Sequence, residues 1–370
     1  MYLQNIELLN FKNYKETKVS FCSKLNFLTG PNGSGKTNLL DGIYYLSSGR
    51  SGLNAMDSQN INHEEQFFMA KGTFIIEEKK YTVGCQLQKG QKKTLLINKK
   101  KIERISEFIG RFPSVLITPD DNEVIREGSE IRRGFFDNIF SQLDKTYLNA
   151  LINYTKALKI RNGLLKRFAE GFYFDKDLLE PYNNLLSENG NTIYDLRNKY
   201  LLEFLPAFNY YFNLLTKNKE QVNLEYKSSV FQEDILSQLE KSLAEDRVLQ
   251  RTTKGIHKDD FIFSIGDHAL KKFGSQGQQK SFLIALKFAH HITIKKTRNI
   301  NPILLLDDIF DKLDEKRIAQ LLDIVLNEEF GQVFITDARP SASIKSFKSV
   351  IQDKCIFKVE DNKVELIPNV

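Results

Sequence analysis

Eight residues, Gly30-Pro31-Asn32-Gly33-Ser34-Gly35-Lys36-Thr37, restrict what this chain can fold into more than any other stretch. They fit the spacing G-x-x-x-x-G-K-[ST]. The apolar run KLNFLTG leads into them, and Leu39, Leu40, Ile43 and Leu46 come after them at helical spacing. Strand, glycine loop and helix in that order make a phosphate cradle. Glycines let backbone N–H groups close around a phosphate where side chains would collide. Lys36 supplies charge to the β- and γ-phosphates, and the Thr37 hydroxyl is a ligand for Mg²⁺. The helix from Lys36 turns its N-terminal dipole toward the same anion. The expectation is an α/β fold that holds ATP and Mg²⁺ on Gly30 through Thr37.

The other half of such a site is expected far along the chain. ILLLDD, Ile303 to Asp308, reads as a buried apolar strand that delivers Asp307 to its end, where it can hold the Mg²⁺ water shell. Asp308, one residue on, is placed to orient or deprotonate the attacking water. Lys36, Asp307 and Asp308 are therefore the expected catalytic residues, with Thr37 and Asp307 at the metal. The N- and C-terminal parts must meet in space, because each carries half of the site.

Between them the texture changes. Residues 1–116 read as strands and turns around one helix, with an NKK hairpin turn near position 99. Residues 117–250 read as a mainly helical lobe, with breaks expected at GFYFDKD and SENGN. Residues 251–370 return to strands around a long helix from about Gln276. His290 and His291 lie within that helix and read as core residues, since no second ligand pair appears nearby. The layout is an α/β head of mixed sheet and helices, split by a helical insertion.

The chain has 370 residues, enough for two domains, with 41% hydrophobic and 27% charged residues. No apolar stretch approaches the length of a membrane span, and the first residues carry no secretory signal pattern. The three cysteines are odd in number and far apart, so neither a disulfide framework nor a zinc site is expected. A cytoplasmic location is the expectation. A formal net charge of +6 permits a polyanionic partner without requiring one.

A second glycine-bearing turn, Ser275-Gln276-Gly277-Gln278, precedes the long C-terminal helix. Ser275 reads as its N-cap, and Gly277 leaves the first turn open to an anion. One chain holding one ATP does not need two cradles. The economical reading is that this turn receives the γ-phosphate of ATP held by another copy, in a two-fold dimer.

Together these motifs resemble the ABC-type ATPases. SQGQQ stands as their signature, and LLLDDIFDKLD as Walker B strand and D-loop, with Asp314 at the dimer seam. More narrowly the chain resembles the RecF family of recombination mediators. NFKNY, GPNGSGKTNLLDGIYYLSSGRS, ITPDDNEVIREGSEIRRGFFD, YLNALINYTKALKIRN, GIHKDD and FGSQGQQK match that family's pattern in order, over almost the whole length. Lys12 replaces the usual Arg, Ile256 and Lys258 the usual Pro and Arg, and Asp311 and Lys312 the common Ser-Glu. Where transporter ATPases carry a histidine switch, QVFIT ends in Thr336 and Asp337.

The resemblance implies an ATP-dependent homodimer that holds duplex DNA near single-strand/double-strand junctions or gaps. With RecO and RecR it would help place RecA, and slow hydrolysis would release it. Candidate phosphate contacts are Lys92, Lys93, Lys99, Lys100, Lys101, Arg132, Arg133, Lys159 and Arg161. The alternative is a transporter ATPase subunit, which would carry Leu-Ser-Gly-Gly-Gln and a Glu after the Walker B Asp. A chromosome-structuring ATPase would need long heptad arms, and no heptad run persists.

Overall fold

The computed structural model describes residues 1–171, 174–310, 313–327, 330–337 and 353–368. The first segment holds β1 (Tyr2–Phe11), β2 (Tyr14–Ser20), β3 (Leu25–Thr29), α1 (Lys36–Ser48), β4 (Phe67–Ile76), β5 (Lys79–Gln88), β6 (Thr94–Ile97), β7 (Lys100–Lys101), α2 (Ile105–Phe108) and β8 (Ser114–Ile117). The middle holds α3 (Glu123–Arg126), α4 (Ser129–Leu143), α5 (Lys145–Gly171), α6 (Glu180–Thr216), β9 (Val222–Lys227), α7 (Ile235–Lys241), α8 (Leu243–Leu249), β10 (Asp260–Ile265), β11 (His268–Ala269) and α9 (Leu270–Phe273). The last holds α10 (Gln276–Arg298), β12 (Ile303–Leu306), α11 (Glu315–Asn327), β13 (Val333–Asp337), β14 (Lys354–Glu360) and β15 (Lys363–Leu366).

These residues divide into two units. Unit 1 is Met1–Asp121, Leu214–Thr216 and Lys280–Val370; unit 2 is Asn122–Asn213 and Lys217–Gln279. Unit 1 contains two six-stranded sheets, ordered β2-β1-β4-β5-β6-β7 and β15-β14-β3-β13-β12-β8. Every pairing in the first is antiparallel. In the second, β14, β3, β13, β12 and β8 run parallel, and β15 is an antiparallel edge. Every residue of β3, β8, β12 and β13 is buried, as expected of parallel strands covered on both faces. Helix α1 packs against strands of both sheets, with Leu39, Leu40, Ile43 and Leu46 fully buried. The sheets are also joined by Gln332, itself fully buried. Its side chain accepts from the Leu3 N–H at 2.7 Å and donates to the Leu3 and Cys22 carbonyls at 2.9 and 2.8 Å.

Unit 2 combines the helices with a small antiparallel sheet, β11-β10-β9. Residues 251–279 therefore group with the helices, where the sequence suggests the C-terminal head: β10 pairs with β9 along six residues. Phe136 of α4 stacks on Phe261 of β10 with ring centroids 4.0 Å apart. The break expected at SENGN is absent, and α6 runs through it unbroken. Gly190 is there for packing: a Cβ would lie 2.4 Å from Ile235 and 3.2 Å from the Tyr154 ring.

Two arginines are buried in this unit. Arg197 pairs with Asp137 at 2.8 Å and Asp259 at 3.2 Å. Arg161 pairs with Asp246 at 2.7 Å and also donates to Asn183 and Thr252. Arg161 is thus a core cation and not a DNA contact. Replacing it with Met strands Asp246 in the interior, so Arg161→Met should lose about 3–5 kcal/mol of stability in urea unfolding; an unchanged midpoint would return it to the surface.

His257 lies in the same unit. Thr252 offers a carbonyl 3.1 Å from Nε2, which must therefore carry the proton, leaving Nδ1 to accept from the Tyr154 hydroxyl at 2.8 Å. Burial pushes its pKa from 6.5 down to about 4, with Lys258 and Arg133 acting in the same direction. Between those values the unfolded chain binds the proton and the folded chain does not. Stability from this group is full above about pH 6.5 and is lost as the pH falls through about 4, by up to about 3 kcal/mol. Urea titrations at pH 7.5 and 4.5 should give a smaller difference for His257→Gln than for the parent protein.

Candidate nucleotide site

The glycine loop joins β3 to α1 in unit 1, and two of its glycines are forced. A Cβ on Gly30 would fall 2.0 Å from the Val359 carbonyl oxygen of β14. Gly35 has φ +108, a region that disfavours side chains, and a Cβ there would meet the Tyr14 hydroxyl at 2.8 Å and the Asn13 amide at 2.9 Å. Tyr14 in turn donates to the Gly35 carbonyl at 3.0 Å. Lys36 is buried, with Nζ donating to the Gly30 and Pro31 carbonyls at 2.8 Å each. Burial lowers its pKa, while Asp307, Asp308 and Asp337 oppose that shift. The Ser34 hydroxyl is buried without a hydrogen-bond partner, a donor available inside the loop.

Two strands away lies β12, with β13 between it and β3. Asp307 comes directly after β12 and is 3% exposed. Thr37 Oγ1 lies 3.0 and 2.9 Å from its two carboxylate oxygens. Thr336, at the end of β13, donates to Oδ1 at 2.8 Å. Burial raises the Asp307 pKa, and the two hydroxyls and Lys36 pull it back. Asp308 is exposed, in contrast to its neighbour, with φ +44. The residues expected at the ATP and the metal, Lys36, Thr37, Asp307 and Asp308, are thus brought together. An all-oxygen set of hydroxyl and buried carboxylate suits Mg²⁺, and a glycine loop with a lysine suits a nucleotide's phosphates. Sequence reading missed Tyr14, Asn13 and Asn38, whose side chains line this loop: Asn38 donates to Asn13 at 2.8 Å, and Asn13 donates to Asn362 in the β14–β15 turn. Nothing local in NFKNY marks that contact.

The turn of Ser275-Gln276-Gly277-Gln278 belongs to unit 2 and opens α10. It is a capping box. Ser275 Oγ accepts from the Gln278 N–H at 3.2 Å, and Gln278 Oε1 accepts from the Ser275 N–H at 2.8 Å. Gln279 is buried beneath it, donating to the Gly274 carbonyl at 2.9 Å. Asp314 caps α11 by accepting from the Arg317 N–H at 2.8 Å. Asp311 and Lys312 lie outside the described residues. His290 and His291 are buried, and His291 Nε2 donates to the Pro302 carbonyl at 2.9 Å.

The expected phosphate contacts separate on inspection. Arg132 grips both oxygens of Asp260 at 2.8 and 2.9 Å, and Arg133 donates to the Asp259 carbonyl at 2.6 Å. Lys93 pairs with Asp57 at 2.8 Å and donates to the Gly49 carbonyl at 2.6 Å. These three cations hold the fold, because each has an internal acceptor that a charge count does not reveal. Lys92, Lys99, Lys100, Lys101 and Lys159 are exposed.

A phosphate loop and a hydroxyl-bound acidic strand end, set on parallel strands of one mixed sheet with a strand between them, define a P-loop nucleotide-binding ATPase head. A family model described as the RecF/RecN/SMC N terminal domain matches residues 2–361. The DNA replication and repair protein RecF of Flavobacterium johnsoniae is 46% identical over 359 residues, covering 97% of this chain and 100% of that protein. That of Cytophaga hutchinsonii is 45% identical over 368 residues, covering 100% of this chain and 97% of the relative. A solved structure of the recombination mediator protein RecF-ATP in the RecFOR pathway has a TM-score of 0.88 at 30% identity, over 99% of this chain and 97% of that one. An Smc head domain from Pyrococcus yayanosii, at TM-score 0.59 and 13% identity over 99% of this chain and 96% of that one, shares the ABC-type fold. The chain belongs to the RecF family. The transporter alternative falls with that assignment.

Gly35→Ala should weaken ATP binding by about 10–100-fold, because the loop must move off both its left-handed backbone and Tyr14. Calorimetric titration of the variant at unchanged thermal midpoint is the check; parental affinity would mean the loop does not close on phosphate in this way.

Proposed function

We propose that this protein is an ATP-driven DNA-binding switch of gap and recombinational repair, working in the cytoplasm. ATP draws two copies together, the dimer holds duplex DNA near a single-strand/double-strand junction, and slow hydrolysis lets it go. RecO- and RecR-like proteins are its expected partners in loading a RecA-like recombinase. The observation that carries the reading is the intact Thr37–Asp307 contact, at 2.9 and 3.0 Å, in a chain that matches RecF proteins end to end. The described residues include no helix long and apolar enough to cross a membrane.

The chemistry comes from the side chains. Thr37 and Asp307 would hold Mg²⁺, whose charge would offset that of the nucleotide phosphates. Lys36 adds a second cation at the loop, where burial strengthens its field. Asp308, exposed beside the buried Asp307, orients and deprotonates the attacking water. The second anion cradle, Ser275 to Gln278, takes the γ-phosphate bound by the other copy, with Asp314 near the seam. ATP then favours the dimer through contacts that ADP lacks. Lys92, Lys99, Lys100, Lys101 and Lys159 remain the candidates for DNA phosphate, and binding through them should fall steeply with salt.

Solution mass by light scattering tests this directly. ATP with Mg²⁺ should double the mass, ADP should not, and Ser275→Arg should stay monomeric throughout. Equal masses in all states would remove the clamp and leave Ser275 a helix cap.

A further inference from the structure

Thr336 and Asp337 end the strand QVFIT in place of a histidine switch, and the Thr336 hydroxyl both donates and accepts. Thr336 is 1% exposed. It sits on β13, in register with Leu28 of β3, while Ile335 beside it pairs with Leu306 of β12. Its oxygen accepts from the backbone N–H of Asp308 at 2.9 Å, and its proton goes to Asp307 Oδ1 at 2.8 Å. One hydroxyl therefore touches both acids of the site, one through its carboxylate and one through its backbone.

The backbone contact matters because Asp308 is in the left-handed region, φ +44, which a non-glycine residue occupies only when its surroundings hold it there. The ladder from β12 to β13 ends with Leu306 and Ile335. Beyond it the Asp308 N–H needs another acceptor, and Thr336 is that acceptor. Turning the chain at this point leaves Asp307 buried and Asp308 exposed.

We propose that Thr336 is a positioning residue for ATP hydrolysis: its single hydroxyl fixes the Walker B carboxylate and the next acid in different orientations, one buried against Thr37 and one facing water. This rests on the ATPase reading above. Valine matches the shape of threonine and can make neither bond; serine can make both.

The experiment compares the parent with Thr336→Val and Thr336→Ser. Thermal melts without nucleotide report folding. Titration with a fluorescent ATP analogue, with and without Mg²⁺, reports binding, and steady-state turnover reports kcat and KM. Thr336→Val should bind the analogue without Mg²⁺ within about 3-fold of the parent, yet lose about 100-fold in kcat with little change in KM, the scale of a catalytic group displaced by about 1 Å. Thr336→Ser should stay within about 5-fold of the parent in kcat. Equal turnover by Thr336→Val, or an equal loss by Thr336→Ser, would overturn the proposal. A parent protein that binds analogue but never turns ATP over would overturn the ATPase reading and this role with it. A parent that does turn over, beside an active Thr336→Val, would remove the role alone.

Discussion

A carboxylate is expensive to take out of water unless hydrogen bonds meet it, and Asp307 is 3% exposed. The groups that meet it come from separate elements: Thr37 at the start of α1, and Thr336 at the end of β13. Neither is near Asp307 in the chain. They converge because β3, β13 and β12 are adjacent parallel strands, so that the residues after each strand emerge on the same edge of the sheet. The glycine loop, the acidic strand end and the hydroxyl between them are thus consequences of one strand order. The same order binds the first and last segments of the chain into a single unit, since β3 from the first lies between β13 and β14 from the last. Gln332 reinforces this from the opposite direction, supplying the Leu3 backbone with the bonds a neighbouring strand would give.

Much of this was legible in the residues. The loop from Gly30 to Thr37 carries its own flanking strand and helix, and the physical demand for glycine leaves few other readings. ILLLDD announces a doubly buried strand by its unbroken apolar run. Illegible features share a cause: their meaning depends on a partner distant in sequence. Arg161 looks like a surface cation until Asp246 is found beside it, and Arg132 until Asp260 is. Gly190 looks like a helix breaker in SENGN, yet it admits Ile235 and Tyr154 to the side of α6. Thr336 is marked in the sequence only by its place at the end of QVFIT; the pairing of β13 with both of its neighbours is what brings its hydroxyl to Asp307 and Asp308.

Unit 2 makes the point about charge most sharply. Its arginines and aspartates from EIRRGFFD and GIHKDD, motifs that carry the family likeness, are tied up within the unit: Asp259 is buried, and Arg132, Arg133, Asp137 and Asp260 are half-buried. Arg197 reaches Asp137 and Asp259, and Arg132 reaches Asp260. Burying paired charges adds little net stability compared with apolar packing, but losing one partner is costly. Such a network constrains which helices and strands can meet more than it strengthens their meeting. It also removes cations from the surface, so the modest positive balance of the chain overstates what is available to a polyanion.

The turn proposed to meet a second copy's γ-phosphate is self-contained. Ser275 and Gln278 satisfy each other reciprocally, so the first turn of α10 is complete without any ligand. A turn that needed an anion in order to fold would tie dimerisation to folding. This one folds by itself and still presents an exposed serine and the amide end of a 23-residue helix. In the dimer proposed above, a second copy's γ-phosphate would have to compete only with this neutral cap, one of whose bonds is 3.2 Å. ADP offers no such competitor, so under that proposal hydrolysis would return the turn to its own cap and let the two copies part.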